Sequence, residues 1–235
     1  MFADSNTNSS AGSFSGITSN KTVTRIIDFV ENLFQVFINK VKSSGKTSEE
    51  GLTQELVIIL NKQSINTRFP FYFDKEHKNK KRRVDIGVVE VPLSDNTEEQ
   101  PNILNVSPAN ELLSSSSDAI FCIEAKRLPT PGSGREQEYI VGDGGGIQRF
   151  KNKNHAPNLS SSAIIGYIQK ETFSHWFTQI NSWIDDLIKN NPTQWNEKDK
   201  LINFTSDLIK ARSESKHLKV DGTYISLNHL WVSLI

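Results

Sequence analysis

The sequence predicts an α/β fold, a mixed central sheet flanked by helices, and three observations carry that expectation. Val23, Ile26, Ile27, Val30, Leu33, Phe34, Phe37 and Val41 recur at three- and four-residue intervals over residues 22–42, the period of a helix with one buried face. Two short apolar runs, residues 83–89 and 119–126, have the length and composition of buried strands. Between and beyond them, helical and strand patterns succeed one another in the order helix, three strands, helix, strand, which builds a layered α/β domain.

Ser43, Ser44 and Gly45 close the first helix. Thr47 with Glu50 three residues later is a capping-box signature that opens a second, whose buried face is Leu52, Leu56, Ile59 and Leu60. Residues 67–73 are aromatic-rich and predict the first strand, with Pro70 marking an edge or a bulge. The runs at 83–89 and 119–126 supply the next two, separated by a polar spacer over residues 94–117. Residues 143–151 open a helix behind a glycine run, and residues 162–169 form a further strand. Phe173, Trp176, Phe177, Ile180, Trp183, Ile184 and Leu187 make another helical stripe. Leu201, Phe204, Leu208 and Ala211 predict a weaker helix over 197–212, and residues 223–235 read as a terminal strand. Residues 1–20, rich in Ser, Asn and Gly, read as a disordered lead-in. The remainder, 21–235, is expected to be one domain with a core at about 47–170 and a C-terminal extension of helices and a strand over 171–235.

Lys and Arg total 27, as do Asp and Glu, so the chain is not a protein that coats nucleic acid indiscriminately. No apolar run approaches the roughly 20 residues of a membrane span. The single cysteine, Cys122, excludes an internal disulfide and a thiolate zinc cluster; it reads as a small buried hydrophobe, and the expected location is cytoplasmic. The four tryptophans fall in the C-terminal third, where a packed core is their expected use. The histidines show no metal-ligand spacing.

Charge in the two apolar strands is the feature that needs explaining. Asp85 interrupts Val84 and Ile86, and Glu124 and Lys126 interrupt the run from Phe121. Side chains alternate along a strand, so Glu124 and Lys126 share one face while Phe121, Ile123 and Ala125 take the other. Two carboxylates from neighbouring strands with an amine beside them make a site for a hard cation. Lys75, Lys78, Lys80, Lys81, Arg82 and Arg83 precede the first acid, and Arg127, Arg135, Arg149, Lys151 and Lys153 follow the second. Such a rim suits a phosphodiester; a solvated hairpin is the alternative for the first group.

Asp85 with Glu124-Ala125-Lys126 resembles the signature of the PD-(D/E)xK nuclease superfamily, with Val84 where that signature usually has proline and a longer spacer between its halves. The resemblance covers roughly residues 47–170 and implies a restriction-endonuclease-like αβββαβ core, here with extra N- and C-terminal helices. It implies Asp85, Glu124 and the carbonyl of Ala125 as ligands to Mg²⁺, with Mn²⁺ as a substitute, and Lys126 beside the attacking water. Many members add a glutamate from the first core helix. Helical phase places Glu49 on the inward face, Glu55 beside it and Glu50 away, so Glu49 is the choice and an acidic first turn the alternative. Gln148 stands where related nucleases carry a glutamine, and the amides after Gly144-Gly145-Gly146 are a candidate anion site. Lys81, Arg82, Arg83, Arg149 and Lys151 are the expected contacts to nucleic acid, double-stranded DNA in the first instance. The implied activity is metal-dependent cleavage in a restriction or phage-defence role, by a homodimer or with a partner subunit. The alternative is a catalytically inactive module of the same fold that binds nucleic acid or protein. Alanine at Asp85, Glu124 or Lys126 is expected to leave the protein folded, since clustered carboxylates repel.

Overall fold

A computed structural model describes residues 19–76, 78–79, 82–91, 119–142 and 144–235 of the chain. All but the last two residues of the lead-in expected over 1–20, and the whole of the polar spacer expected over 94–117, lie outside those residues. The first helix begins at Asn20, two residues earlier than expected, because Ser19 caps it by accepting from the Thr22 amide.

That helix, α1 (Asn20–Asn32), is followed at once by α2 (Phe34–Ser44). The single helix expected over 22–42 is therefore two. Leu33 sits at φ −98°, ψ −1°, and its amide turns back to Val30 three residues earlier, a tightened last turn. Burial continues through Val30, Leu33, Phe34 and Phe37, so the apolar period runs across the break without marking it. Gly45, at φ 65°, ends α2 in the left-handed conformation that glycine tolerates. Helix α3 (Glu49–Thr67) is capped by Ser48, whose side chain accepts from the Gly51 amide. Thr47 and Glu50 do not form the expected capping box; Glu50 faces Lys75 at 3.6 Å.

The strands are β1 (Phe71–Lys75), a short hairpin of β2 (Lys78–Asn79) and β3 (Arg82–Arg83), then β4 (Ile86–Glu90) and β5 (Phe121–Leu128). The first strand starts later than predicted because α3 runs on to Thr67. After β5 come the short helix α4 (Gly146–Lys151), β6 (Ser161–Ile168) and α5 (Phe173–Asn190). A 3₁₀ turn at Glu197–Asp199 leads to β7 (Ile202–Ser206), β8 (Lys210–Leu218) and β9 (Tyr224–Ser233). The helix expected over 197–212 is thus a turn, one whole strand and the start of another. In β8 the buried positions are Ala211, Ser213, Ser215 and His217, an alternation carried by small and polar residues that hydrophobicity does not register.

Seven strands make one mixed sheet in the order β1-β4-β5-β6-β9-β8-β7. The β5–β6 and β6–β9 pairings are parallel and the others antiparallel. Helices α1, α2 and α3 cover one face with Phe71, Phe73, Ile86, Val88, Ile123 and Ile165. Residues of α4 and α5 cover the other with Cys122, Leu128, Ile164, Leu227 and Trp231. Trp176 and Trp195 join Trp231 in that second core, and burial pushes the Cys122 thiol up to about 12. Among the described residues no helix is long and apolar enough to cross a membrane.

Candidate active site

The β4–β5 ladder pairs Val88 with Phe121, Gly87 with Cys122 and Ile86 with Ile123, and there it stops. Beyond that point β5 still carries amides that need acceptors. Carboxylates supply them. Asp85 Oδ2 accepts from the Ala125 amide at 2.8 Å, and Glu49 Oε2 accepts from the Arg127 amide at 3.1 Å. The splayed strands thus fix an acid from the entry to β4 and another from the first turn of α3 along one flank of β5.

Alternation along β5 sends Glu124 and Lys126 to the α4 face. Glu124 is fully buried and Lys126 is 4% exposed. A lone buried carboxylate costs several kcal/mol, and this one is held by three neighbours. Lys126 Nζ lies 2.9 Å and Arg149 Nη1 3.0 Å from Oε1, and His155 Nδ1 lies 2.9 Å from Oε2. Burial alone would raise the Glu124 carboxyl, but His155, Lys126 and Arg149 together hold it at about 2. Lys126 also reaches Glu49 Oε1 at 3.5 Å. Burial opposes its charge, but Glu124, Glu49 and Asp85 outweigh that and raise its pKa, so it remains an ammonium ion. Asp85 is the strained member. Burial first, and then the neighbouring Glu124, push its carboxyl up to about 7 against the help of the Ala125 amide and Lys126.

The structure therefore brings Glu49, Asp85, Glu124 and Lys126 together. Glu55 is turned away and pairs with Lys46 at 2.5 Å. The expectation that removing any one member relieves repulsion is corrected for Glu124. Its removal strips three cationic or polar neighbours of their buried counter-charge, which is destabilising.

The other predicted residues divide. Arg149, with its side chain 32% exposed, reaches the cluster directly. Gln148 does not: its Oε1 accepts from the Gly142 amide at 3.2 Å and so holds the loop ahead of α4. Lys151 is corrected as a nucleic-acid contact. It is buried, 2.5 Å from Asp199 Oδ1 and 4.4 Å from the centre of the Trp195 ring, and burial lowers its pKa against the pull of Asp199. Lys81 lies outside the described residues, and Arg82 and Arg83 are described only as the strand that pairs with Lys78 and Asn79. The glycine run is also corrected as an anion site. The amides of Gly145, Gly146, Ile147 and Gln148 are taken by the carbonyls of Gly142, Glu138, Tyr139 and Ile140. The glycines serve close packing instead: a Cβ on Gly146 would come within 2.9 Å of the Tyr139 carbonyl.

His155 is the site residue that sequence reasoning missed, because nothing in its spacing links it to Glu124. A second buried set lay equally hidden. Trp231 Nε1 donates to Tyr139 Oη at 2.9 Å, and Tyr139 meets His229 Nδ1 at 2.7 Å. His229 Nε2 meets Ser215 Oγ at 2.7 Å, Ser215 meets His217 Nε2 at 2.6 Å, and His217 Nδ1 meets Asp199 Oδ1 at 2.6 Å. Indole only donates and a carboxylate only accepts, so Tyr139 accepts from Trp231 and His217 gives its Nδ1 proton to Asp199; with neutral imidazoles, Tyr139 gives its own proton to His229. Each later bond then has one direction, His229 to Ser215 to His217 to Asp199. Both imidazoles are neutral in this order. Ser215, His217 and Asp199 have the connectivity of a nucleophile triad, but all are buried and the hydroxyl's bonds are already taken by two imidazoles, so the chain ties β8 and β9 to the 3₁₀ turn and to the loop ahead of α4 rather than offering a nucleophile.

Among the described residues no group of three or more His, Cys, Asp and Glu side chains stands at metal-holding spacing. Asp85 and Glu49 are turned to β5 amides and Glu124 to its cations. The donor chemistry nevertheless fits a hard divalent ion: all three acids offer oxygen, and buried Glu124 Oε2 makes no directed hydrogen bond. Comparison of the chain with family models, with curated proteins and with solved structures finds no match.

Proposed function

We propose that the protein is a Mg²⁺-dependent nuclease of the restriction-endonuclease-like class that hydrolyses phosphodiester bonds in DNA. The observation that carries this reading is the convergence of Glu49, Asp85, Glu124 and Lys126, from three separate elements, on the splay between β4 and β5. The element order supports it: α3, then antiparallel β1, β4 and β5, then α4 and a parallel β6, which agrees with an αβββαβ core.

In this reading Asp85 and Glu124 would hold the cation, with the carbonyl of Ala125 on the same flank of β5 as its Asp85-bound amide. Bound Mg²⁺ or Mn²⁺ supplies a water acidic enough to attack at neutral pH and neutralises charge on the phosphate. Lys126, kept cationic by the three acids, orients that water and lowers its pKa further. Glu49 accepts a hydrogen bond from the amide of Arg127 and holds the ammonium of Lys126 in place. Arg149, partly exposed beside Glu124, faces the side from which a phosphate would approach. The role is one of restriction or phage defence, exercised as a homodimer or with a partner subunit.

Plasmid, linear duplex, single-stranded DNA and RNA, each with Mg²⁺, Mn²⁺ or EDTA, test the proposal. Metal-dependent cleavage that disappears in Asp85→Asn and Lys126→Ala is the expected result. A second reading has one observation in its favour. Glu124 is already paired with Lys126 and Arg149 and in contact with His155, an arrangement that holds without any metal. A catalytically inactive module would then bind DNA equally well with Mg²⁺ and with EDTA and cut none of the substrates.

A further inference from the structure

We propose that Arg127 is a phosphate contact, its guanidinium held at the end of β5 to meet the backbone of duplex DNA; this rests on the reading of DNA as the substrate. The first observation is how completely the residue is fixed. Its amide donates to Glu49 Oε2 at 3.1 Å, and its carbonyl accepts from Thr130 Oγ1 at 3.1 Å. Its Nε donates to Gln169 Oε1 at 2.7 Å. Gln169 is anchored in turn, its Nε2 donating to the Thr47 carbonyl at 2.9 Å and its amide to the Leu128 carbonyl at 2.8 Å. The side chain of Arg127 is thereby tied to the end of β6 and to the residues that lead into α3.

The second observation is what the guanidinium leaves alone. Glu49 lies against the main chain of Arg127, and a carboxylate so placed is the natural partner of an arginine fork. Its oxygens go instead to the Arg127 amide and toward Lys126. Nε meets the neutral amide of Gln169, which orients the group without cancelling its charge. Among the described residues neither Nη atom has a hydrogen-bond or ion-pair partner.

The other cations that follow the Glu124 motif are arranged differently. Arg135 is paired with Glu138, Arg149 with Glu124, Lys151 with Asp199 and Lys153 with Asp221. Arg127 is half-buried, and ordering so long a side chain costs rotamer freedom that a merely solvated cation would keep. What the ordering leaves is a planar group with both Nη atoms available, the geometry that takes two oxygens of one phosphate. Glu49 touches both the Arg127 amide and the Lys126 ammonium, so the fork stands on the rim of the same site. It suits a phosphate neighbouring the one to be cut.

The test is fluorescence anisotropy of a labelled DNA duplex with the full chain in EDTA over a range of salt, so that neither metal nor cleavage enters. Each phosphate contact contributes about 0.9 to the slope of log affinity against log salt. Arg127→Gln is expected to weaken binding about 10-fold or more at low salt and to reduce that slope by about 0.9. Arg127→Lys keeps the charge and loses the fork, so it should retain the slope and recover only part of the affinity. Gln169→Glu keeps an acceptor for Nε but cancels the charge. It should lose slope as Arg127→Gln does, and it carries the test if Arg127→Gln does not fold. A wild-type slope in Arg127→Gln, whatever its affinity, overturns the assignment and leaves Arg127 as a tie between β5, β6 and α3. A slope lost equally in Arg127→Lys overturns it as well. A wild type that binds duplex but cuts nothing with Mg²⁺ defeats the nuclease reading alone, and one that binds no duplex defeats both.

Discussion

Two buried polar clusters sit on the same side of the sheet, and they are built on opposite principles. In the chain from Trp231 to Asp199 each donor has one acceptor and every bond has one direction. Around Glu124, by contrast, Lys126 and Arg149 crowd one oxygen while the other faces an imidazole out of line, and Asp85 is held far above its ordinary carboxyl range. A satisfied network rigidifies, whereas a half-satisfied one is costly to keep. The difference marks which cluster is scaffold and which is poised to exchange partners.

The largest expected effect breaks the comparison on the functional side. Lys126→Ala or Asp85→Asn should lower metal-dependent cleavage by about 10³-fold or more, as loss of a transition-state contact does; Asp85→Asn stays folded in EDTA, whereas Lys126→Ala, which leaves buried Glu124 without its nearest cation, loses stability there. Equal cleavage by wild type and variants would remove the distinction between the clusters.

On the scaffold side, Asp199→Ala leaves Lys151 and His217 buried without their counter-charge. Breaking a buried pair in that way costs about 3–5 kcal/mol, read as a lower urea midpoint. The fraction that folds should cleave normally if the chain only holds β8 and β9 to the 3₁₀ turn and the loop ahead of α4.

Asp85 offers a change of the opposite sign. Its folded pKa is raised, so its protonated form stabilises the native state and that stability is lost as pH rises through about 7. Asp85→Asn, which keeps an oxygen for the Ala125 amide, should therefore raise stability at pH 8 without metal by about 1–3 kcal/mol. The gain should shrink as pH falls below 7 and vanish near pH 4. A variant less stable than wild type at pH 8 would place Asp85 with the scaffold.

The smallest effect sharpens the scaffold's own character. Burial lowers the pKa of His229 well below its usual value, and the adjacent His217 adds to that. The unfolded chain then binds a proton below about pH 6.5 that the folded chain refuses, so stability falls with acidification by up to about 1.4 kcal/mol per pH unit. Unfolding curves between pH 7 and pH 5 measure the slope, and His229→Gln should flatten it.

What the sequence disclosed depended on which residues carried the pattern. Leu52, Leu56 and Leu60 set a helical phase that points Glu49 inward, and Ile123 and Ala125 set an alternation that leaves Glu124 and Lys126 together. Both rest on apolar residues at a fixed period. Strand β8 was invisible because Ser213, Ser215 and His217 are its buried face. His155 was invisible because two left-handed residues, Lys153 and Ala156, and not a period, aim it. Lys151 misled because a charge near a motif says nothing of whether its helix buries it.

The carboxylates on β5 have one more consequence. Where β4 parts from β5, the sheet has an internal open edge, and an uncapped strand edge invites a foreign strand. Asp85 and Glu49 close that edge by occupying the amides of Ala125 and Arg127. Their oxygens therefore guard the sheet against mispairing while their charges serve the site, and Asn or Gln at these positions separates the two duties. A chain that lost both acids outright would leave the amides of Ala125 and Arg127 open to a foreign strand.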